Sequence, residues 1–188
     1  MRKVKRSDIV DYQSYNDRRE VQRSRIIEEK ALRRIHVGPY LTFLFETTDT
    51  MLYQVQEMMR LEQIVREKDI QHEIDTYNQL LGDDGELGCT LLVEIDDQAE
   101  RNQKLSAWLN LPAHLYLRLS GGERVPARWD TAQVGDTRLS SVQYLKFNVT
   151  QAGKGAVVGI GCDHPDQTVE VELTSEQRAT LAKDLMSS

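Results

Sequence analysis

Cysteine is scarce in this chain. Cys89 and Cys162 are the only two among 188 residues, in unrelated contexts and without a Cys-x-x-Cys pair. That argues against a disulfide-stapled scaffold or a zinc ribbon, and makes a reducing cytoplasm the expected compartment. Long apolar runs are lacking too. Tyr40 to Phe45 is typical of the longest, far below the roughly 20 residues of a membrane helix. The basic segment Met1 to Ile9 lacks the apolar core of a secretory signal, so no membrane role is expected. Glycine and proline are absent from Asp8 to Val37, which leaves room for a long uninterrupted helix.

What is present fits a folded single domain: 39% hydrophobic and 29% charged residues, unlike a disordered chain. The net charge of −6 is unevenly spread. Residues 1–34 carry 11 Lys+Arg against 6 Asp+Glu, and the remainder 13 against 24. A basic segment on an acidic body can grip a phosphate backbone, or pair with the body or a second copy. No nucleic-acid motif supports the first reading, so nucleic acid is not the expected partner.

The pattern predicts an α+β fold, with N-terminal helices packed on a mainly antiparallel sheet and a C-terminal helix. The helical part covers about 1–81 and the sheet-rich part about 86–188. A first helix is expected over Asp8 to Arg34, with Ser14 to Asn16 as a place for a break. A hairpin follows, Ile35 to Val37 and Leu41 to Glu46 around Gly38-Pro39. Helices are expected at Thr50 to Val65, capped from Thr47 to Thr50, and at Asp69 to Leu80. Leu87 to Ile95 reads as a strand, then a helix capped by Asp96 and Asp97. In Ala113 to Leu119, Leu115, Leu117 and Leu119 alternate with His114, Tyr116 and Arg118, so one set points inward and the other outward. Strands are expected at Arg124 to Trp129, Ser141 to Val149, Ala156 to Ile160 and Thr168 to Leu173. Thr174 and Gln177 form a capping box for the last helix. Thr131 to Ser140 reads as a mobile loop.

Several motifs fail on inspection. His72-Glu73 begins a zinc-protease pattern, but Thr76 stands where the second His is needed. Gly153-Lys154-Gly155 with Gly159 has nucleotide-loop spacing, but a β-like segment follows, so a hairpin turn is expected. Cys162-Asp163-His164-Pro165 sets thiol, carboxylate and imidazole side by side; neighbours on a strand point to opposite faces, so a loop ended by Pro165 is the simpler reading. His36 and His114 read as ordinary. No metal or cofactor is called for.

The informative residues are polar ones at core-facing helical positions. On the first helix Tyr12, Tyr15, Arg19, Arg23, Ile26 and Lys30 share one side. On the second, Glu62 falls within a face defined by Met51, Val55, Met58 and Val65, and Tyr53, Glu57, Arg60 and Ile64 form a separate stripe. A carboxylate on a core face needs a partner, and Arg19 and Arg23 are the natural ones. Glu73 sits beside the Ile70, Ile74, Tyr77 seam. Either these groups only fix helix packing, or Arg19, Arg23, Glu62 and Glu73 hold a small anion or do acid–base work. The stripe of Tyr53, Gln54, Glu57 and Arg60 would then face a partner protein.

The run Tyr53-Gln54-Val55-Gln56-Glu57-Met58-Met59-Arg60-Leu61-Glu62 carries a resemblance. With Arg33 to Gly38, Leu44-Phe45-Glu46, Asp75 to Asn78 and Asp163-His164-Pro165, it is similar to a bacterial family of domains of unknown function, over nearly the whole chain. Members of that family are encoded near rubrerythrin-like and iron–sulfur oxidoreductase proteins. The resemblance therefore implies an accessory or partner protein in a redox or oxidative-stress system. It lends no catalytic residue. An enzyme or small-anion binder is the alternative, and a homodimer through the first helix is compatible with either.

Overall fold

The computed structural model describes residues 1–152 and 155–186. Asp11 caps the first helix, α1 (Tyr12–Ala31), by accepting from the Gln13 and Ser14 amides at 3.1 and 3.0 Å. The helix therefore starts four residues later than Asp8, which instead closes a short turn at Arg6–Asp8. It runs unbroken through Ser14 to Asn16. The hairpin β1 (Arg34–Val37) and β2 (Leu41–Phe45) follows. Every residue of β2 is buried, as expected of a central strand. Thr47 and Thr50 cap each other at the start of α2 (Thr48–Glu62). Gln63 ends it in the left-handed region, φ 53°, its amide bonded to the Met59 carbonyl. The third helix, α3 (Glu67–Asn78), packs back on α2.

The remaining elements are β3 (Glu86–Val93), α4 (Gln98–Ala107), β4 (Leu115–Leu119), β5 (Arg124–Pro126), β6 (Val142–Asn148), the single turn α5 (Val149–Ala152), β7 (Val157–His164), β8 (Gln167–Glu172) and α6 (Ser175–Met186). They form two antiparallel sheets where one was expected, ordered β1-β2-β3-β6 and β5-β4-β7-β8. The division arises after Pro126. That segment leaves the second sheet and bridges the first, where Arg128 and Lys146 exchange backbone bonds of 2.8 Å. The two sheets, α4 and α6 enclose one core holding Phe43, Leu91, Trp108, Leu117, Ile160 and Leu181. A smaller cluster of Met51, Val55, Met59, Ile70, Ile74 and Leu81 lies under α2 and α3, closed by Val4 and Ile9. The C-terminal helix has its capping box, with Thr174 and Gln177 bonded at 2.9 and 3.2 Å. It is fastened by Asp184 to Arg33, two bonds of 2.8 Å.

Thr131 to Ser140 holds one short turn, Thr131–Gln133, and otherwise no regular structure. The hairpin turn expected at Gly153 and Lys154 lies outside the described residues. Among those described, no helix is long and apolar enough to cross a membrane.

Candidate functional site

The site begins with α1, a helix with little apolar burial of its own; only Tyr15 and Ile26 are buried. It lies along α2. Three residues of α1 and α2 converge there on one carboxylate. Glu57, 9% exposed, accepts from the Tyr15 hydroxyl at 2.5 Å, from Arg19 Nε at 2.8 Å and Nη2 at 2.9 Å, and from Arg60 at 3.4 Å. Burial alone would push the Glu57 carboxyl up. The hydrogen bonds from Arg19, Tyr15 and Arg60 outweigh it and hold the group down at about 2. Tyr15, fully buried and bonded to that charge, is pushed well above the ordinary phenol range. The cluster holds a fixed ionic clamp with its lone pairs occupied.

This differs from the expected arrangement in one respect that matters. Arg19 does pair with an α2 carboxylate, but with Glu57 and not Glu62. Glu62 is exposed, in the last residue of α2. The left-handed Gln63 turns the chain away before Val65, which is 67% exposed and so never completes the core face assigned to it. Arg23 is also exposed and forms no ion pair among the described residues. Glu73 is half-buried on α3, away from the clamp; with Glu62 it acts on Tyr77, whose hydroxyl meets Gln54. The four residues Arg19, Arg23, Glu62 and Glu73 are thus not brought together. The stripe of Tyr53, Glu57 and Arg60, expected to face a partner, is covered by α1 itself, and Tyr53 and Arg60 remain half-exposed at its edge.

The basic N-terminal segment is largely engaged with the body. Lys3 meets Asp83, Arg6 meets Glu67, Arg25 meets Asp49, Arg33 meets Asp184 and Arg34 meets Glu94.

A second polar system escaped the sequence reading. The strand β7 continues through His164, so Cys162, Asp163 and His164 lie in a strand and not in a loop. They alternate: Cys162 and His164 buried, Asp163 exposed. Asp163 accepts from Arg124 at 2.9 Å and meets His114 Nδ1 at 2.9 Å. Asn110 links the two histidines, at 3.2 Å from His114 Nε2 and 3.0 Å from His164 Nε2. Burial, with His114 nearby, holds His164 below the ordinary imidazole range. Across the same face, Tyr116 and Arg118 reach over β7 to Glu170 at 2.9 and 2.7 Å, and Arg118 also to Glu172. They lie flat because Gly161 and Gly159 are beneath them; a Cβ at Gly161 would sit 2.7 Å from the Tyr116 hydroxyl. That clearance, and not a nucleotide, accounts for Gly159. The signal for this ladder was in the sequence, in the outward set His114, Tyr116, Arg118 and the alternation of Glu170 and Glu172 with Val169 and Val171.

Both thiols are buried, and desolvation raises both, which disfavours the reactive thiolate. Among the described residues, no group of three His, Cys, Asp or Glu is placed to hold a metal ion.

The chain is similar to a solved structure, the crystal structure of a novel protein of unknown function from Burkholderia pseudomallei. The two are 28% identical, with a TM-score of 0.89 across 98% of this chain and 100% of that one. No curated protein matches. The family described as "Protein of unknown function (DUF3501)" matches residues 3–185. With nearly every residue inside that match, the chain belongs to the DUF3501 family.

Proposed function

We propose that this protein is an accessory module that binds a partner protein through the outer face of α1. The observation that carries the reading is how little of that helix the fold uses. Twenty residues span about 30 Å, yet only two side chains are buried, and the rest of its hold is polar: Arg19 on Glu57, Arg25 on Asp49 and Glu29 on Thr47. A helix kept for stability alone would turn a broader apolar stripe inward. Here aliphatic residues face water instead: Val21 is 77% and Ile27 57% exposed. Ile27 lies between Arg23 and Lys30 at helical spacing, an apolar knob flanked by cations. Its complement is an apolar pocket rimmed by carboxylates.

The partner belongs to a redox system on this reading, as the gene setting of the resembling family implies. The protonated, buried thiols favour an accessory part over electron transfer by this chain. The rival reading, an enzyme or small-anion binder using Arg19, Arg23, Glu62 and Glu73, has less support. Arg19 is occupied by Glu57, and among the described residues no ion pair joins it or Arg23 to Glu62 or Glu73.

A photo-reactive amino acid placed at Ile27 in the living host tests the proposal. The expected result is cross-linking to a defined second protein, abolished by Arg23→Glu with the melting temperature unchanged. Cross-linking to another copy alone would make this face a homodimer interface and overturn the proposal, as would no cross-link at all.

A further inference from the structure

A cleft opens where the end of α3 faces the edge of the first sheet. It measures about 450 Å³ and is lined by Leu80, Arg128, Trp129, Tyr144, Leu145 and Lys146 among others. That volume suits a small organic molecule. We propose that the cleft binds a small planar aromatic anion, independently of the α1 surface.

The charge arrangement carries the inference. Arg128 and Lys146 are directly opposite across an antiparallel bridge, each amide bonded to the other's carbonyl at 2.8 Å. Side chains so paired project to the same face, and like charges there repel. Two cations in that position call for compensating anions, which the fold supplies as Glu86, Asp83 and Asp130 while filling few of the cations' donors. Arg128 gives one bond, at 2.9 Å, to buried Glu86, and its side chain is 67% exposed. A guanidinium has five donors, so most of this one remains available. Lys146 stands 4.0 Å from Asp83, which is already 3.2 Å from Lys3. The remaining acid of the cleft, Asp130, is turned to cap the Ala132 amide at 2.9 Å. Asp130 keeps its charge, so the cleft is not positive overall; what it offers an anion is unfilled donors, most of the Arg128 guanidinium and the Lys146 ammonium, whose nearest carboxylate is at 4.0 Å.

The rest of the lining is mixed, with polar Thr76 and Gln79 beside Leu80, Trp129 and Tyr144. Leu80 supplies aliphatic surface, while Leu145 is 1% exposed and packs into the core. Trp129 is half-buried and Tyr144 is 39% exposed on the outer face of β6. Aromatic walls accept a flat ring by stacking, with the ring's carboxylate, sulfonate or phosphate directed at the two cations. The shape, the rings and the charge point to one chemical class.

Benzoate is the probe. The full-length, 15N-labelled protein is titrated with it, and with benzyl alcohol and benzylamine as neutral and cationic controls. The Trp129 indole N–H and the Lys146 amide are the reporters; Trp108, 1% exposed in the core, is the internal control. Benzoate should shift both reporters saturably, and Lys146→Met should weaken it about tenfold with the remaining spectrum intact. Lys146→Arg should retain binding. Equal shifts from benzylamine, no saturable shift, or unchanged binding in Lys146→Met would each overturn the proposal.

Discussion

The molecule builds the same three-residue device twice. On the helical side Tyr15 and Arg19 both bond Glu57; on the second sheet Tyr116 and Arg118 both bond Glu170. The distances nearly match, with Arg Nε to carboxylate at 2.8 and 2.7 Å and hydroxyl to carboxylate at 2.5 and 2.9 Å. What differs is water. The Glu57 side chain is 11% exposed and that of Glu170 is 33% exposed. A carboxylate sheltered from solvent depends on its donors, because nothing else replaces them. One that water can reach loses little when a donor leaves. The first device is a structural clamp that joins two helices through Arg19 and Glu57, 38 residues apart in sequence. The second is a surface ladder that decorates a sheet already paired through its backbone.

The sharpest way to break the comparison is to remove the central carboxylate of the buried device. Glu57→Ala leaves the Tyr15 hydroxyl and Arg19 without their partner and should cost about 3 kcal/mol in urea unfolding. Acid provides the same test without a cavity. The Glu57 carboxyl lies at about 2 in the folded chain, below its ordinary value of 4.5. A depressed folded value stabilises at pH above the unfolded one and is lost as pH falls through the window between them. Stability should therefore decline by about 3 kcal/mol from pH 5 to 2 on account of this group. In Glu57→Gln that component of the decline should vanish. A Glu57→Gln profile parallel to the parent's would mean that the clamp does not govern acid stability.

Smaller in effect, a matched pair of phenol deletions isolates burial from geometry. Tyr15→Phe removes a hydroxyl bonded to a sheltered charge and should cost about 2 kcal/mol, whereas Tyr116→Phe should cost about 0.5 kcal/mol. Equal losses would show that exposure of the carboxylate is not what separates the two devices.

How far the sequence reveals each device follows from the range of the contacts. Local signals were readable: Thr47 and Thr50, Thr174 and Gln177, and the alternation of Leu115, Leu117 and Leu119 depend only on near neighbours. They specify helix starts and strand faces, and with them the α+β class. The wheel of α1 also placed Arg19 toward protein. Its partner could not be read the same way, because that depends on where α1 docks around α2. Taking Met58 and Val65 as core rotated the inferred face toward Glu62. The left-handed Gln63 that ends the helix has no signature in a residue type more often helical. The second device was hidden for a related reason. His114 meets Asp163, and Arg118 meets Glu170, only once the register of β4 on β7 and of β7 on β8 is known, and period-two patterning leaves register open. The two sheets were likewise invisible, since a local pattern marks strands but not the corner at Arg128.

Arg118→Ala should have the smallest effect, about 0.5 kcal/mol, because the guanidinium and the acids it meets lie in reach of solvent. Its value lies in how it responds to salt. Ions within a Debye length of about 3 Å at 1 M screen an exposed pair almost completely. The stability difference between Arg118→Ala and the parent should therefore disappear between 0.05 and about 1 M sodium chloride. The difference for Glu57→Ala should survive, since mobile ions cannot enter the space that α1 closes over the carboxylate. If both differences persisted in high salt, the ladder would have to be sheltered by something other than this chain, such as a partner lying on the second sheet. If both collapsed, water and ions would have access to Glu57, and the clamp would differ from the ladder in name only.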